Sequence, residues 1–156
     1  MIDTPVLVQT ELRHTAVIRI VTPRAQMRFV MGPAIAEVFA ALTSLRVAPS
    51  GPLFSHHLRM DPATFDFEVG VPVVQPIEPT GRVIASTLPA TTIARTVYRG
   101  AYEWLGGAWG EFSQWIESNG HTPAADLWEC YLVGPESSPD PAKWATELNR
   151  PLIPQR

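Results

Sequence analysis

The chain has 156 residues, of which 46% are hydrophobic and 17% charged, as in a folded domain and unlike a disordered segment. A net charge of −3, with eleven arginines and one lysine spread along the chain, argues against nucleic-acid binding. Cys130 is the only cysteine, and the N-terminus shows no signal peptide. We find no stretch of about 20 apolar residues, so we expect a cytoplasmic protein without membrane contact.

The first half of the chain predicts a strand, a helix and two further strands. Residues 14–21 are rich in β-branched side chains, which favour a strand. An apolar face repeats along residues 33–47 and predicts a helix that begins at Pro33. Residues 52–59 and 65–73 predict two strands, and polar residues alternate with apolar ones in the second. One face of that strand should therefore be buried and the other solvated.

The second half predicts the same order of elements. Residues 91–99 again favour a strand, and residues 104–118 have an apolar face with a 3.6-residue period. Trp109 and Trp115 lie on that face, where packing in the core is the default expectation. Gly120 follows as a helix stop, and residues 126–133 predict the next strand.

These two halves are copies of one unit. Pro49 and Pro123 are separated by 74 residues, as are Leu53 and Leu127. Further on the offset is 79 residues, and the five extra residues fall in the loop 134–139. We predict a single domain, 1–156, of two βαββ repeats at about 5–75 and 82–153. The fold class is α+β, a pseudo-two-fold antiparallel sheet with two main helices and a cleft between the halves.

Glu129 is a lone carboxylate within the apolar strand 126–133. A carboxylate taken out of water needs a partner, because an unpaired buried charge costs on the order of several kcal/mol. One interpretation is an internal ion pair with Arg19, Arg95 or Arg99 on the first strands. The other is a ligand that supplies the positive charge. Structural ion pairs are commoner than ligand sites, so spacing alone favours the first interpretation.

Strand alternation places Glu129 and Tyr131 on one face. Their counterparts in the first repeat are Ser55 and His57, so only the second repeat carries the charge. A carboxylate beside a tyrosine suits a flat organic cation, since each aromatic face adds cation–π attraction of roughly 0.5–2 kcal/mol.

Five segments resemble motifs of the GyrI-like family of small-molecule-binding domains, also found in multidrug-responsive transcription regulators. The segments are Gly51-Pro52-Leu53-Phe54, residues 65–72, Arg99-Gly100-Ala101-Tyr102-Glu103, Gly106-Gly107-Ala108-Trp109 and Trp128-Glu129-Cys130-Tyr131-Leu132. The resemblance covers residues 5–153 and implies a duplicated βαββ fold, distantly similar to the SOUL proteins. Since the first strand begins near Met1, we expect a stand-alone version and not a transcription factor.

The resemblance also implies a hydrophobic cleft that binds lipophilic, cationic aromatic compounds, as in multidrug or toxin binding and drug resistance. The residue in the position of Glu129 would then be the charge anchor of the cleft. The candidate walls are Tyr131, Phe54, His57, Tyr102, Trp104 and Phe39.

Two alternatives follow from the family. Some stand-alone relatives open cyclopropane rings of natural products, which would make this chain a hydrolase with Glu129 as general base and Tyr131 assisting. Others antagonise a gyrase inhibitor, which would make it an interaction protein such as a gyrase modulator. We expect no cofactor and no metal, because the adjacent His56 and His57 point to opposite faces of a strand.

Overall fold

The computed structural model describes residues 2–154, apart from the side chain of Met60. The chain is α+β, as predicted, and the described strand pairs are antiparallel. The strands are β1 (Val6–Gln9), β2 (Arg13–Pro23), β3 (Phe54–Met60), β4 (Thr64–Pro72), β5 (Ile84–Leu88), β6 (Thr92–Arg99), β7 (Thr122–Pro123), β8 (Leu127–Val133) and β9 (Ala145–Ile153). The two main helices are α1 (Met27–Leu45) and α2 (Leu105–Ser118).

The chain forms two compact units. The N-terminal unit is Glu11–Ala90, and the C-terminal unit combines Met1–Thr10 with Thr91–Arg156. Strand order is β3-β4-β2-β5 in the first and β1-β6-β9-β8 in the second, where β7 also pairs with β9. The short strands β1 and β5 were not predicted. Each lies at the start of one repeat and pairs with the first long strand of the other, β1 with β6 and β5 with β2.

In the N-terminal unit, α1 packs on β2 and β4. Val38 and Leu42 of the helix join Ile18 and Phe67 of the strands in one buried cluster. The two strands pair closely at Gly70, where a Cβ would lie 1.9 Å from the carbonyl oxygen of Ala16. Only glycine fits at this position of β4.

Helix α1 begins six residues earlier than predicted. Pro33 lies inside the helix and does not start it. A proline ring clashes with the Cβ of the residue before it, and here that residue is Gly32, which has none. The helix ends at Leu45, because Arg46 adopts a left-handed conformation at φ 58° and Val47 N–H donates to Leu42 O at 3.0 Å. The predicted end at residue 47 was therefore two residues too late.

The prediction of a solvated face on β4 was wrong at Asp66. This side chain is only 7% exposed because two arginines from the neighbouring strands cover it. Arg19 Nη2 lies 3.0 Å and Arg59 Nε lies 3.5 Å from its Oδ2. Paired in this way, a carboxylate is buried at a lower free-energy cost.

In the C-terminal unit, α2 has nearly the predicted bounds. Phe112 and Ile116 pack against Tyr98 of β6 and Leu148 of β9. The helix stop is confirmed, since Gly120 has a φ of +78° and its N–H donates to Glu117 O at 3.0 Å.

One segment, Arg24–Leu45, is long and apolar enough to cross a membrane by length and composition, which the sequence analysis had not recognised. A core helix satisfies the same test. Here Ala34, Val38 and Leu42 are buried against the N-terminal unit's own strands, so the segment is weak evidence for a membrane span.

Candidate ligand-binding site

The site is built on β8, which runs antiparallel to β9 with Glu129 opposite Leu148 and Tyr131 opposite Thr146. Because alternate residues of a strand share a face, Glu129 and Tyr131 project together. The predicted shared face is confirmed, and the structure adds a contact that was not predicted: Tyr131 Oη donates a hydrogen bond to Glu129 Oε2 at 3.0 Å.

The other oxygen of this carboxylate is held by helix α2. Trp109 Nε1 donates to Glu129 Oε1 at 2.7 Å, a short charge-assisted bond. Trp109 also packs on the core beside Phe112, with ring centroids 5.7 Å apart. The expectation of core packing was thus correct but incomplete. A buried indole N–H needs an acceptor, and that requirement was the available signal.

None of the three candidate arginines pairs with Glu129. Arg19 binds Asp66, Arg95 lies 3.4 Å from Glu147, and Arg99 binds Asp3. Within the described residues 2–154, Glu129 has no cationic partner within 4.0 Å.

Both donors to Glu129 are neutral, so neither supplies a positive charge to the carboxyl group. Although part of the residue reaches solvent, burial of the carboxyl group raises the pKa of Glu129 above its ordinary value. The hydrogen bonds from Trp109 and Tyr131 act in the opposite direction and are outweighed.

Three aromatic rings in successive contact lie next to this carboxylate, beginning with Tyr131, which is hydrogen-bonded to it. The Tyr102 ring lies 6.1 Å from Tyr131 at an interplanar angle of 73°. The Tyr102 ring also lies 4.9 Å from the Trp144 ring, tilted by 33°. We call Tyr102, Tyr131 and Trp144 the aromatic trio. Trp144 was missed as a site residue. Its only sequence signal was that it corresponds to Phe65 of the first repeat, 79 residues earlier.

Trp104 forms no ring contact with the aromatic trio. It is 67% exposed and lines an open depression of about 540 Å³ with Tyr98, Glu111 and Pro141. That lining includes neither Glu129 nor Tyr131.

The remaining candidates, Phe54, His57 and Phe39, belong to the N-terminal unit. Phe54 is fully buried, whereas Phe39 on α1 is 40% exposed. His57 stacks on Phe67 with ring centroids 5.2 Å apart. Burial, more than the nearby charges of other residues, lowers the pKa of His57 to about 4. A part for these three residues in ligand binding stays a prediction.

Solved structures share this fold. The C-terminal domain of EcmrR is 21% identical with a TM-score of 0.80, over 97% of this chain and 98% of that one. In the EcmrR–DNA complex the TM-score is 0.83 at 20% identity, and 97% of this chain matches 58% of the length of EcmrR. SAV2435 bound to tetraphenylphosphonium is 12% identical with a TM-score of 0.66, over 97% of this chain and 94% of that one.

A hydrolase from Listeria innocua is 15% identical with a TM-score of 0.60, over 96% of this chain and 91% of that one. At these identities the likeness shows the fold alone. No curated protein matches the chain. The model of the GyrI-like small molecule binding domain matches residues 10–152. The chain therefore belongs to the GyrI-like family of small-molecule-binding domains.

Proposed function

We propose that this chain binds lipophilic aromatic cations and that Glu129 is the charge anchor. The observation that carries the proposal is a buried carboxylate without a cationic partner among the described residues, held by two neutral aromatic donors. An unpaired buried charge raises the free energy of the folded protein. A bound cation would lower that free energy by pairing with the carboxylate.

The hydrogen bonds also indicate which cations suit the site. Each oxygen of Glu129 already accepts a bond, from Trp109 or from Tyr131, so the carboxylate is oriented before a ligand arrives. A quaternary phosphonium or ammonium cannot donate hydrogen bonds. Its affinity for the carboxylate therefore depends little on whether the two oxygens are free to accept them. Such a cation would gain the charge of Glu129 and the faces of the aromatic trio. Tetraphenylphosphonium, bound by SAV2435, is a ligand of this type.

The test compares Glu129→Gln with the wild-type chain by calorimetry. We expect tetraphenylphosphonium affinity to fall at least tenfold, equivalent to about 1.4 kcal/mol. Binding of neutral triphenylphosphine oxide should change by less than twofold. Glu117→Gln, which removes an equal charge from the exposed face of α2, is the matched control. Equal tetraphenylphosphonium affinity in wild type and Glu129→Gln would refute the anchor role.

A hydrolase remains the second candidate, because the raised pKa of Glu129 brings it nearer to that of a general base at neutral pH. Glu129 would take a proton from water as the water oxygen bonds to a strained ring carbon. The electrons of the broken ring bond would pass to an adjacent carbonyl oxygen. Tyr131 would turn its single O–H from Glu129 to that oxygen once Glu129 has taken the proton. Repeated turnover of an electrophilic cyclopropane, lost in Glu129→Gln, would favour this role. Stoichiometric binding of unchanged compound would favour the binding role.

A further inference from the structure

The loop 134–139, which is five residues longer than its counterpart in the first repeat, is fastened to the aromatic trio. Trp144 Nε1 donates to Ser138 O at 2.9 Å. The N–H groups of Ser137 and Ser138 both donate to Gly134 O, at 3.0 and 3.1 Å. The loop is therefore folded on itself and anchored beside Tyr102.

This loop brings a second carboxylate to the trio. A Cβ at Gly134 would lie 3.0 Å from Tyr102 Oη and 2.9 Å from Glu136 Oε2. The tyrosine hydroxyl and the carboxylate thus border one small space, which the missing side chain of Gly134 keeps open. Both carboxylates act electrostatically on the hydroxyl. Burial is the largest cause of the raised pKa of Tyr102, followed by Glu136 and then by Glu129.

Glu136 is exposed and available to a ligand. No arginine, lysine or histidine of residues 2–154 forms an ion pair with it. Tyr102 therefore lies near two carboxylates that have no cationic partner within residues 2–154. Glu129 is reached through Tyr131, and Glu136 belongs to the loop.

We infer that Glu136 is a second acidic contact and that it directs the site towards aromatic dications. The ligand class is two positive groups joined by an aromatic spacer. One group would lie at Glu129, the spacer against the aromatic trio, and the other group at Glu136. This inference rests on the proposed function, since it needs Glu129 to bind the first charge.

The experiment measures binding of pentamidine, an aromatic bis-amidine, and of tetraphenylphosphonium by calorimetry at low salt. In Glu136→Gln we expect pentamidine affinity to fall about fivefold and tetraphenylphosphonium affinity by less than twofold. Glu136→Lys should enlarge the pentamidine loss to more than tenfold. Glu117→Gln is again the control, with neither affinity changed. Higher salt should shrink the Glu136 effect, because an exposed charge is screened.

The two proposals fail in different ways. Tetraphenylphosphonium binding that depends on Glu129, with equal loss of both ligands or of neither in Glu136→Gln, would overturn the role of Glu136 alone. Absence of Glu129-dependent binding for either cation would overturn the proposed function together with this inference.

Discussion

Trp109 on α2 and Glu129 on β8 are joined by a 2.7 Å hydrogen bond from the indole N–H to a carboxylate oxygen. A helix and a strand are thereby linked at a carboxylate whose counterpart in the first repeat is Ser55. The bond orients the carboxylate without neutralising it, which is the property that a site for cations requires.

Trp109→Phe should raise the pKa of Glu129 further, since it removes a donor that favours the ionised form. A hydrogen bond to a charged group contributes about 1.5–3 kcal/mol, so the pH midpoint of tetraphenylphosphonium binding should move up by about one to two units. The measurement is a series of titrations that starts near the ordinary carboxyl pKa and continues to higher pH until the affinity no longer changes. Trp115→Phe, on the same helix but without this bond, should leave the midpoint in place. An unmoved midpoint in Trp109→Phe would show that the bond does not control ionisation.

Binding of a permanently charged cation should strengthen as pH rises. Proton and cation compete for Glu129, whose pKa lies above its ordinary value in the free protein. Below that pKa the proton occupies the carboxylate, and above it the cation meets a full charge. Binding should release a proton, seen as a calorimetric enthalpy that depends on the buffer. Glu129→Gln should show no such buffer dependence; a buffer effect that persists in this variant would assign the proton elsewhere.

Glu129→Gln should also stabilise the unliganded protein at neutral pH. A carboxyl whose folded pKa is raised stabilises the fold below its unfolded pKa, and this contribution is lost as pH rises through the folded pKa. Above both values the buried charge opposes folding. Removing it should raise Tm by about 2–4 °C, which corresponds to about 1 kcal/mol for a chain of this size. Thermal unfolding at pH 7.5 without ligand measures the change. A lower Tm would mean that the carboxylate stabilises the fold.

Stability should fall between pH 6.5 and pH 4 because of His57. Its folded pKa of about 4 lies below the ordinary value of 6.5, so over this window the unfolded chain binds a proton that the folded chain excludes. The loss should approach 3 kcal/mol at pH 4, at about 1.4 kcal/mol per pH unit. Urea unfolding of wild type and His57→Leu at pH 7.5 and 4.5 tests this. The prediction fails if both proteins lose the same stability.

Gly70→Ala should destabilise the protein by at least about 3 kcal/mol, because the new Cβ would meet the carbonyl oxygen of Ala16 in the paired strand. Gly110→Ala is the matched control: it lies inside α2 with nothing within 4 Å of an added Cβ. There alanine should stabilise the helix by about 0.5–1 kcal/mol. Denaturant midpoints of the two variants should therefore move in opposite directions.

The sequence by itself determined the repeat, the α+β class and the shared face of Glu129 and Tyr131. The repeat is visible in residue matches at offsets of 74 and 79. The shared face follows from local periodicity, in which each residue's direction depends only on its neighbours along the chain. Pro33 shows the limit of local signals, since a glycine before it let the helix begin at Met27.

Only the tertiary structure decided what surrounds Glu129. Arg95 was one of the arginines expected as a counter-ion to Glu129. The register of β6 on β9 instead places it opposite Asn149 and 3.4 Å from Glu147. Trp109 and Trp144 reach the site from elements that are distant along the chain. Strand register and helix docking depend on packing of the whole unit. For that reason no local pattern could reveal that this carboxylate would have aromatic donors and, among residues 2–154, no cationic partner.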